Sequence, residues 1–398
     1  MKRPLAFYSA FFFAALTRRM LSYLMIVYGF NVLGGAWSGL LYFCVFAPYL
    51  AFGLYAGVLV DRVSKRMSLL RGLGGTTFLF VVIAAASAGN WFGLSAQRGL
   101  ILAAGTFLYG TSYAVIYPAF LATVPQFAAR TAIGRATVAI NVLSTIGLAY
   151  APLLIGLLRQ WLDWTALFGV LIASSALAFG LLAWSGVSAG ETTRGEASDW
   201  ESLKQLLAFS RRHRFLAQIL VFATLFCLFM VGPLEVLLPN LLERVFHFAP
   251  LPAGLYIAIG GTGLVAGSIL ALTLLERGRA QLWLTVFAVL ASIMMVLSVH
   301  ASLPLLRALL LISGVCGGAF SSLAIAHAQS SAPDALRGRV MSLFALIMGG
   351  VPSLGGLGAG LLAEQGGVLF AVEAAFGTAA IVFLIVGLAA SRPSSAEP

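Results

Sequence analysis

The chain reads as an all-α membrane protein: twelve transmembrane helices in two pseudo-symmetric six-helix bundles, with the N- and C-termini in the cytoplasm. Three observations give that reading. Of 398 residues, 61% are hydrophobic and 9% are charged. The apolar residues gather in runs of about 20, the length a helix needs to cross a hydrocarbon core roughly 30 Å thick. The basic residues gather at the termini and in every second loop. Lipid offers no partner to a bare N–H or C=O, so each run must satisfy its own backbone as a helix. The short alternating segments of a membrane β-barrel do not appear.

In chain order the spans are expected at Pro4 to Val32, Trp37 to Val60, Met67 to Ala88, Ala96 to Leu121, Ala136 to Leu158, Trp164 to Trp184, Phe215 to Leu241, Ala253 to Leu275, Leu282 to Val299, Leu303 to Ala328, Val340 to Leu362 and Val368 to Ala390. The first must include Arg18 and Arg19, because a helix starting at Met20 leaves only about 14 residues before Gly34-Gly35. Lys2 and Arg3 precede an apolar run as in a signal peptide. However, Arg18-Arg19 interrupts that run and no small-x-small cleavage site follows, so the segment is expected to be retained.

Lys2, Arg3, the bases from Arg62 to Arg66, Arg130, Arg135, those from Arg194 to Arg214, Arg277, Arg279, Arg337, Arg339 and Arg392 fall at the termini or the even-to-odd loops. The opposite loops hold little beyond Arg159 and Arg244. The positive-inside rule places the first set in the cytoplasm. The net charge of +11 then reads as topology and contact with anionic membrane lipid, and nucleic-acid binding is not expected. Cys44, Cys227 and Cys316 fall within spans, where a cysteine is by default a small buried hydrophobe. No zinc or haem spacing, nucleotide-binding loop or catalytic triad appears, so neither metal nor cofactor nor enzymatic activity is expected.

The soluble stretch from Gly186 to Arg214 divides the chain into an N-terminal bundle, 1–185, a cytoplasmic linker, 186–214, and a C-terminal bundle, 215–398. Trp200 to Phe209 has apolar residues near helical spacing, and reads as a tether or a short surface helix. The halves resemble each other. Gly134-Arg135 opens the fifth span and Gly338-Arg339 the eleventh, and 22 residues on from each glycine stand Gly156-Leu157-Leu158 and Gly360-Leu361-Leu362. One constant offset aligns both ends, as duplication of six helices would produce.

Between the second and third spans lies Gly57-Val58-Leu59-Val60-Asp61-Arg62-Val63-Ser64-Lys65-Arg66, a dense charged turn in a chain with few charges. Its order of glycine, acid, arginine and paired bases resembles the corresponding loop of major facilitator superfamily transporters. That resemblance implies a carrier working by alternating access. It also implies a cytoplasmic gate of Gly57, Asp61, Arg62, Lys65 and Arg66, in which the acid meets the start of the eleventh helix at Gly338 and Arg339, where free N–H groups favour an anion. Ser64 stands where the family usually has glycine, and Ala119 to Arg130 lacks the acid that Arg62 usually meets. In the fifth span, Gly147 to Gly156 with Pro152 is similar to a drug/proton antiporter motif, although Ala151 and Ile155 replace two of its glycines. The texture of Gly232-Pro233-Leu234-Glu235-Val236-Leu237-Leu238-Pro239 is similar to the macrolide-efflux and siderophore-exporter branch.

Charges within spans are costly and mark pathways. Arg18 lies about 21 Å from Pro4 along a helix, too deep for easy snorkelling, so Arg18 or Arg19 is a candidate for selecting an anionic substrate. If the span starts nearer Ala10, snorkelling becomes feasible instead. Tyr109, Tyr113 and Tyr117 recur every four residues and share one helix face; they read as packing or as a cavity wall. Asn141 is either interhelical glue or a substrate contact. Glu235, beside the Gly232-Pro233 kink, and His327 are candidates for proton coupling, with a rim ion pair and an interhelical hydrogen bond as the plain alternatives.

The expected function is export of an amphipathic small molecule, drug or siderophore in type and anionic if the arginines line the cavity, from a bacterial cytoplasm across the inner membrane. The expected partners are that substrate, protons and lipid, with the carrier a monomer. An importer or lysophospholipid flippase would use the same fold. A non-transporting sensor or scaffold is the alternative of another class.

Overall fold

The computed structural model describes residues 2–62, 64–88, 95–127, 133–188, 213–275, 279–331 and 334–390. The linker from 189 to 212 lies outside them, as do the side chains of Asp61, Arg62, Asn141 and Arg339 and the surroundings of Gly57 and Gly338.

All regular structure among the described residues is helical. Helix α1, Lys2–Tyr28, passes into a π turn, Gly29–Leu33; α2 is Gly35–Arg62, α3 Lys65–Ala88, α4 Ser95–Thr123, α5 Ile133–Leu158 and α6 Trp164–Ser185. Helix α7 runs from Arg214 to Val245 through π segments at Cys227–Val231 and Leu241–Val245. It is followed by α8, Pro250–Leu275, α9, Ala280–Ser298, and α10, Leu303–Ser330. The last helical stretch, Asp334–Ala390, is broken at Gly367, whose φ of 80° is left-handed. A side chain is strained there and glycine is not. The break separates α11, 334–366, from α12, 368–390.

Ten segments are long and apolar enough to cross a membrane by length and composition, the last of them the 50-residue stretch containing the Gly367 break; Leu143–Leu158 is a shorter apolar piece. Two boundaries move from the sequence reading. Helix α2 keeps turning through Asp61 and Arg62, so the charged sequence occupies a helix end rather than a long loop. Ser64 then opens α3, its carbonyl accepting from Ser68 N–H at 2.9 Å and its hydroxyl from Met67 N–H at 3.5 Å. A serine is well suited to that N-cap position. Helix α6 begins with Asp163, which accepts from Ala166 N–H at 2.7 Å.

The chain forms two compact units, one of residues 1–199 with 247–255, the other of 200–246 with 256–398. In the first, a large apolar core joins α1, α3, α4, α5 and α6 around Phe7, Phe11, Leu69, Phe120 and Ile140. Polar glue crosses it. Thr17 Oγ1 lies 2.7 Å from both the Phe13 carbonyl and Ser174 Oγ, and Thr77 Oγ1 lies 2.8 Å from Ser175 Oγ. Small residues set the closest crossings. A Cβ at Gly110 of α4 would press on the α2 backbone at Val45, and Gly147 of α5 lies against Leu16 of α1.

The second unit repeats this local plan. Gly263 and Gly267 of α8 meet the α10 backbone at Leu311 and Val315, while Gly314 and Gly318 of α10 meet Gly260 and Leu264 in return. Gly355 of α11 lies against Leu228 of α7. The same register difference, 212 residues, separates Leu16 from Leu228 and the π turn at Gly29 from that at Leu241.

Candidate functional site

The site grows from α1 and α4 in the first unit. The apolar stretch Arg3–Leu33 is 31 residues long and Arg18 is its middle residue, about 22 Å from either end at helical rise. The start near Ala10, which would have allowed snorkelling, is not the one observed. Arg18 is half-buried, with a fully buried Nε that has no hydrogen-bond partner. Its guanidinium carbon lies 4.9 Å from the Tyr113 ring centre and 5.2 Å from that of Phe46, while that of Arg19 lies 6.0 Å from Phe46. Such contacts are attractive because the ring face is electron-rich.

The spacing of four does what it should on α4. Tyr109 and Tyr113 stack at 6.0 Å and Tyr113 and Tyr117 at 6.4 Å. The ladder continues through Phe80 beyond Tyr109 at 5.2 Å, and through Phe11 beside Tyr117 at 6.3 Å to Phe120 and Phe7. Tyr109 and Tyr113 are buried and Tyr117 is half-buried. Helix α2 adds two residues that the sequence did not single out. Phe46 is buried, and Tyr49, one turn further on, joins the α4 phenols in electrostatic contact with Arg18. Only their place in the fold distinguishes them, since an aromatic on an apolar helix looks the same facing lipid or a cation.

In the second unit, Glu235 is half-buried on α7, four residues past the first π segment. The deformation near Gly232-Pro233 is that π segment, and Gly232 itself sits in close contact with α11, where a Cβ would lie 2.7 Å from Gly356 N. His327 is half-buried in the last turn of α10, edge-on to Phe215 with ring centres 6.0 Å apart. Arg307, also unremarked in the sequence, is exposed near the start of α10 and donates from Nε to the Tyr256 hydroxyl at 2.9 Å. Glu373 lies 3.2 Å from His300, both exposed. Lys65 and Arg66, at the start of α3, are half-buried and exposed. No group of three or more His, Cys, Asp or Glu side chains among the described residues could hold a metal.

The Tyr113–Arg18–Phe46 arrangement can hold an anion against a fixed cation and a planar group against rings. It contains no nucleophile placed beside a base, and so binds rather than reacts. Several solved structures share the fold across nearly the whole chain. A mutant of the nucleoside transporter NupG matches with a TM-score of 0.77 at 16% identity, covering 98% of this chain and 100% of that one. An auto-inhibited POT family peptide transporter matches at 0.74 and 14%, covering 100% and 98%. A bacterial homologue of the iron transporter ferroportin in an inward-facing state matches at 0.71 and 17%, covering 97% and 99%. No curated protein matches by sequence. The sequence pattern of the Major Facilitator Superfamily matches residues 7–351. A multi-pass helical protein with a binding site and no reaction chemistry agrees with that match: the chain belongs to the Major Facilitator Superfamily and is a secondary transporter, not an enzyme.

Proposed function

We propose that the protein is a twelve-span carrier, derived from a duplicated six-helix unit, that exports an amphipathic small molecule from a bacterial cytoplasm by alternating access. The observation that carries a substrate site is Arg18, a cation at the middle of a membrane span, ringed by aromatics and without a carboxylate partner among the described residues. Charges at that depth are retained for pathways, and carriers of this kind bind near the bilayer midplane. The duplication is supported by the glycine crossings of α1 with α5 and of α7 with α11, which recur at one offset. The outward direction rests on the Gly232 to Pro239 texture, which is similar to the macrolide and siderophore exporters.

Glu235 is the residue assigned to proton coupling, as a half-buried acid beside a deformed stretch of α7, with His327 a second candidate. The gate is assigned to Gly57, Asp61, Arg62, Lys65 and Arg66 with Gly338 and Arg339, on the sequence motif. The test is transport by purified protein in liposomes under an imposed pH gradient, beginning with siderophores, macrolides and lysolipids. The wild type should drive uphill export, and Glu235→Gln should exchange substrate yet lose the uphill component. Accumulation in the opposite direction would favour an importer, and movement of lysolipid between leaflets would favour a flippase. Substrate binding without any movement would favour a sensor.

A further inference from the structure

Resting on the reading of the first unit as the substrate site, we infer that the substrate is an aromatic organic anion that serves as the counter-ion of Arg18, its charged group on the Nε edge and its ring against the Phe46 and Tyr113 faces. A guanidinium has five N–H donors, directed in its own plane, and no acceptor. The Phe46 and Tyr113 rings, at 5.2 and 4.9 Å, attract the cation through their faces. They do not replace an oxygen acceptor in the plane, and Nε is buried without one.

The neighbours do not supply that acceptor. Thr17, the adjacent hydroxyl, is engaged with Phe13 and Ser174. Asp163 is the acid of this unit whose side chain is described, and it caps α6. A buried arginine kept for architecture is normally paired, since an uncompensated buried charge is strongly unfavourable. An anion arriving from outside completes this one. Because the surface beside the charge is a stack of rings, a ligand carrying both an anionic oxygen group and a planar apolar body uses the whole site. A small inorganic anion uses half of it, and a neutral aromatic uses the other half. Arg18 rather than Arg19 is assigned because its guanidinium is the one held between a ring of α2 and a ring of α4.

The probes are 2-naphthalenesulfonate, its neutral counterpart 2-naphthalenesulfonamide, and inorganic sulfate, titrated against the full-length protein in detergent or nanodiscs. The sulfonate should bind at least about tenfold more tightly than the sulfonamide, and sulfate should compete at least about a hundredfold more weakly than the sulfonate. Arg18→Gln should bring sulfonate affinity down to that of the sulfonamide. Arg18→Lys, which keeps the charge without the planar fork, should fall between them and serves if the glutamine variant misfolds. Arg19→Gln should keep the preference for sulfonate. Equal affinity for sulfonate and sulfonamide in the wild type, or sulfate competing as well as sulfonate, overturns the inference. So does loss of the preference in Arg19→Gln with retention in Arg18→Gln. Transport of neutral amphiphiles by a protein indifferent to charge would sink this inference and leave the carrier reading standing, whereas tight sulfonate binding without transport would do the reverse.

Discussion

Replacing Arg18 with methionine should make the protein more stable while removing its response to anions. An arginine at the centre of a membrane helix costs about 2.5–3.5 kcal/mol on insertion scales. Methionine fills comparable space without charge and adapts to irregular surroundings. What is lost is the attraction to Phe46 and Tyr113 at 5.2 and 4.9 Å, about 0.5–1 kcal/mol for each ring in a partly wet setting. The balance favours the variant by roughly 1–2 kcal/mol. The register offset supports the choice, because 212 residues on from Arg18 stands Met230, which is buried in the second unit. The assay is reversible unfolding in mixed micelles, or apparent Tm, where a rise of about 1–4 °C is expected by analogy with soluble domains, alongside naphthalenesulfonate titration. An arginine with an architectural partner would give the opposite sign, since breaking a buried ion pair costs about 3–5 kcal/mol. A fall of more than about 1 kcal/mol with intact topology would therefore refute the reasoning.

Three further outcomes are expected. Gly267→Ala should destabilise the second unit by about 1–3 kcal/mol, because its Cβ would meet the Val315 backbone. Gly358→Ala, with nothing within 4 Å, should be neutral or slightly stabilising, and equal losses in micelle unfolding would contradict the packing account. Ser174→Ala should cost only about 0.6 kcal/mol, since Thr17 keeps its bond to the Phe13 carbonyl at 2.7 Å; a double-mutant cycle with Thr17→Val measures it. Tyr113→Phe should leave naphthalenesulfonate affinity within about threefold and Tyr113→Leu should weaken it by about three- to tenfold, because the ring face, at about 0.5–1 kcal/mol or more, carries the contact.

Much of this was legible in the chain itself. Period and length give membrane helices directly, and the start of α6 at Trp164 agrees to the residue. The four-residue spacing of Tyr109, Tyr113 and Tyr117 leads to the observed stack because helix geometry leaves those residues one neighbouring face. Other features carry no local signal. The π segments of α1 and α7 depend on a backbone register that several sequences adopt equally well. The helix end at Asp61 and Arg62 was read as loop because charge was equated with the end of the helix, whereas charged residues at a membrane surface are solvated and continue to turn. Phe46 and Tyr49 were missed because α2 is apolar all round, and only tertiary structure says which of its aromatics meets a cation.

Arg18 also bears on how the protein is made. Helix α1 is synthesised before the other eleven, and it holds two arginines at its centre, unfavourable by about 5–7 kcal/mol together on the translocon scale. The 13 leucine, isoleucine, phenylalanine and valine residues of Arg3–Leu33 return roughly 4–8 kcal/mol on the same scale. The two nearly cancel, so the nascent helix has little net drive to leave the translocon alone. Phe46 and Tyr113, the rings that shelter its charge, are made 28 and 95 residues after Arg18. The first span to enter the membrane machinery is thus held for partners not yet translated, and its release is timed by the emergence of α2 and α4.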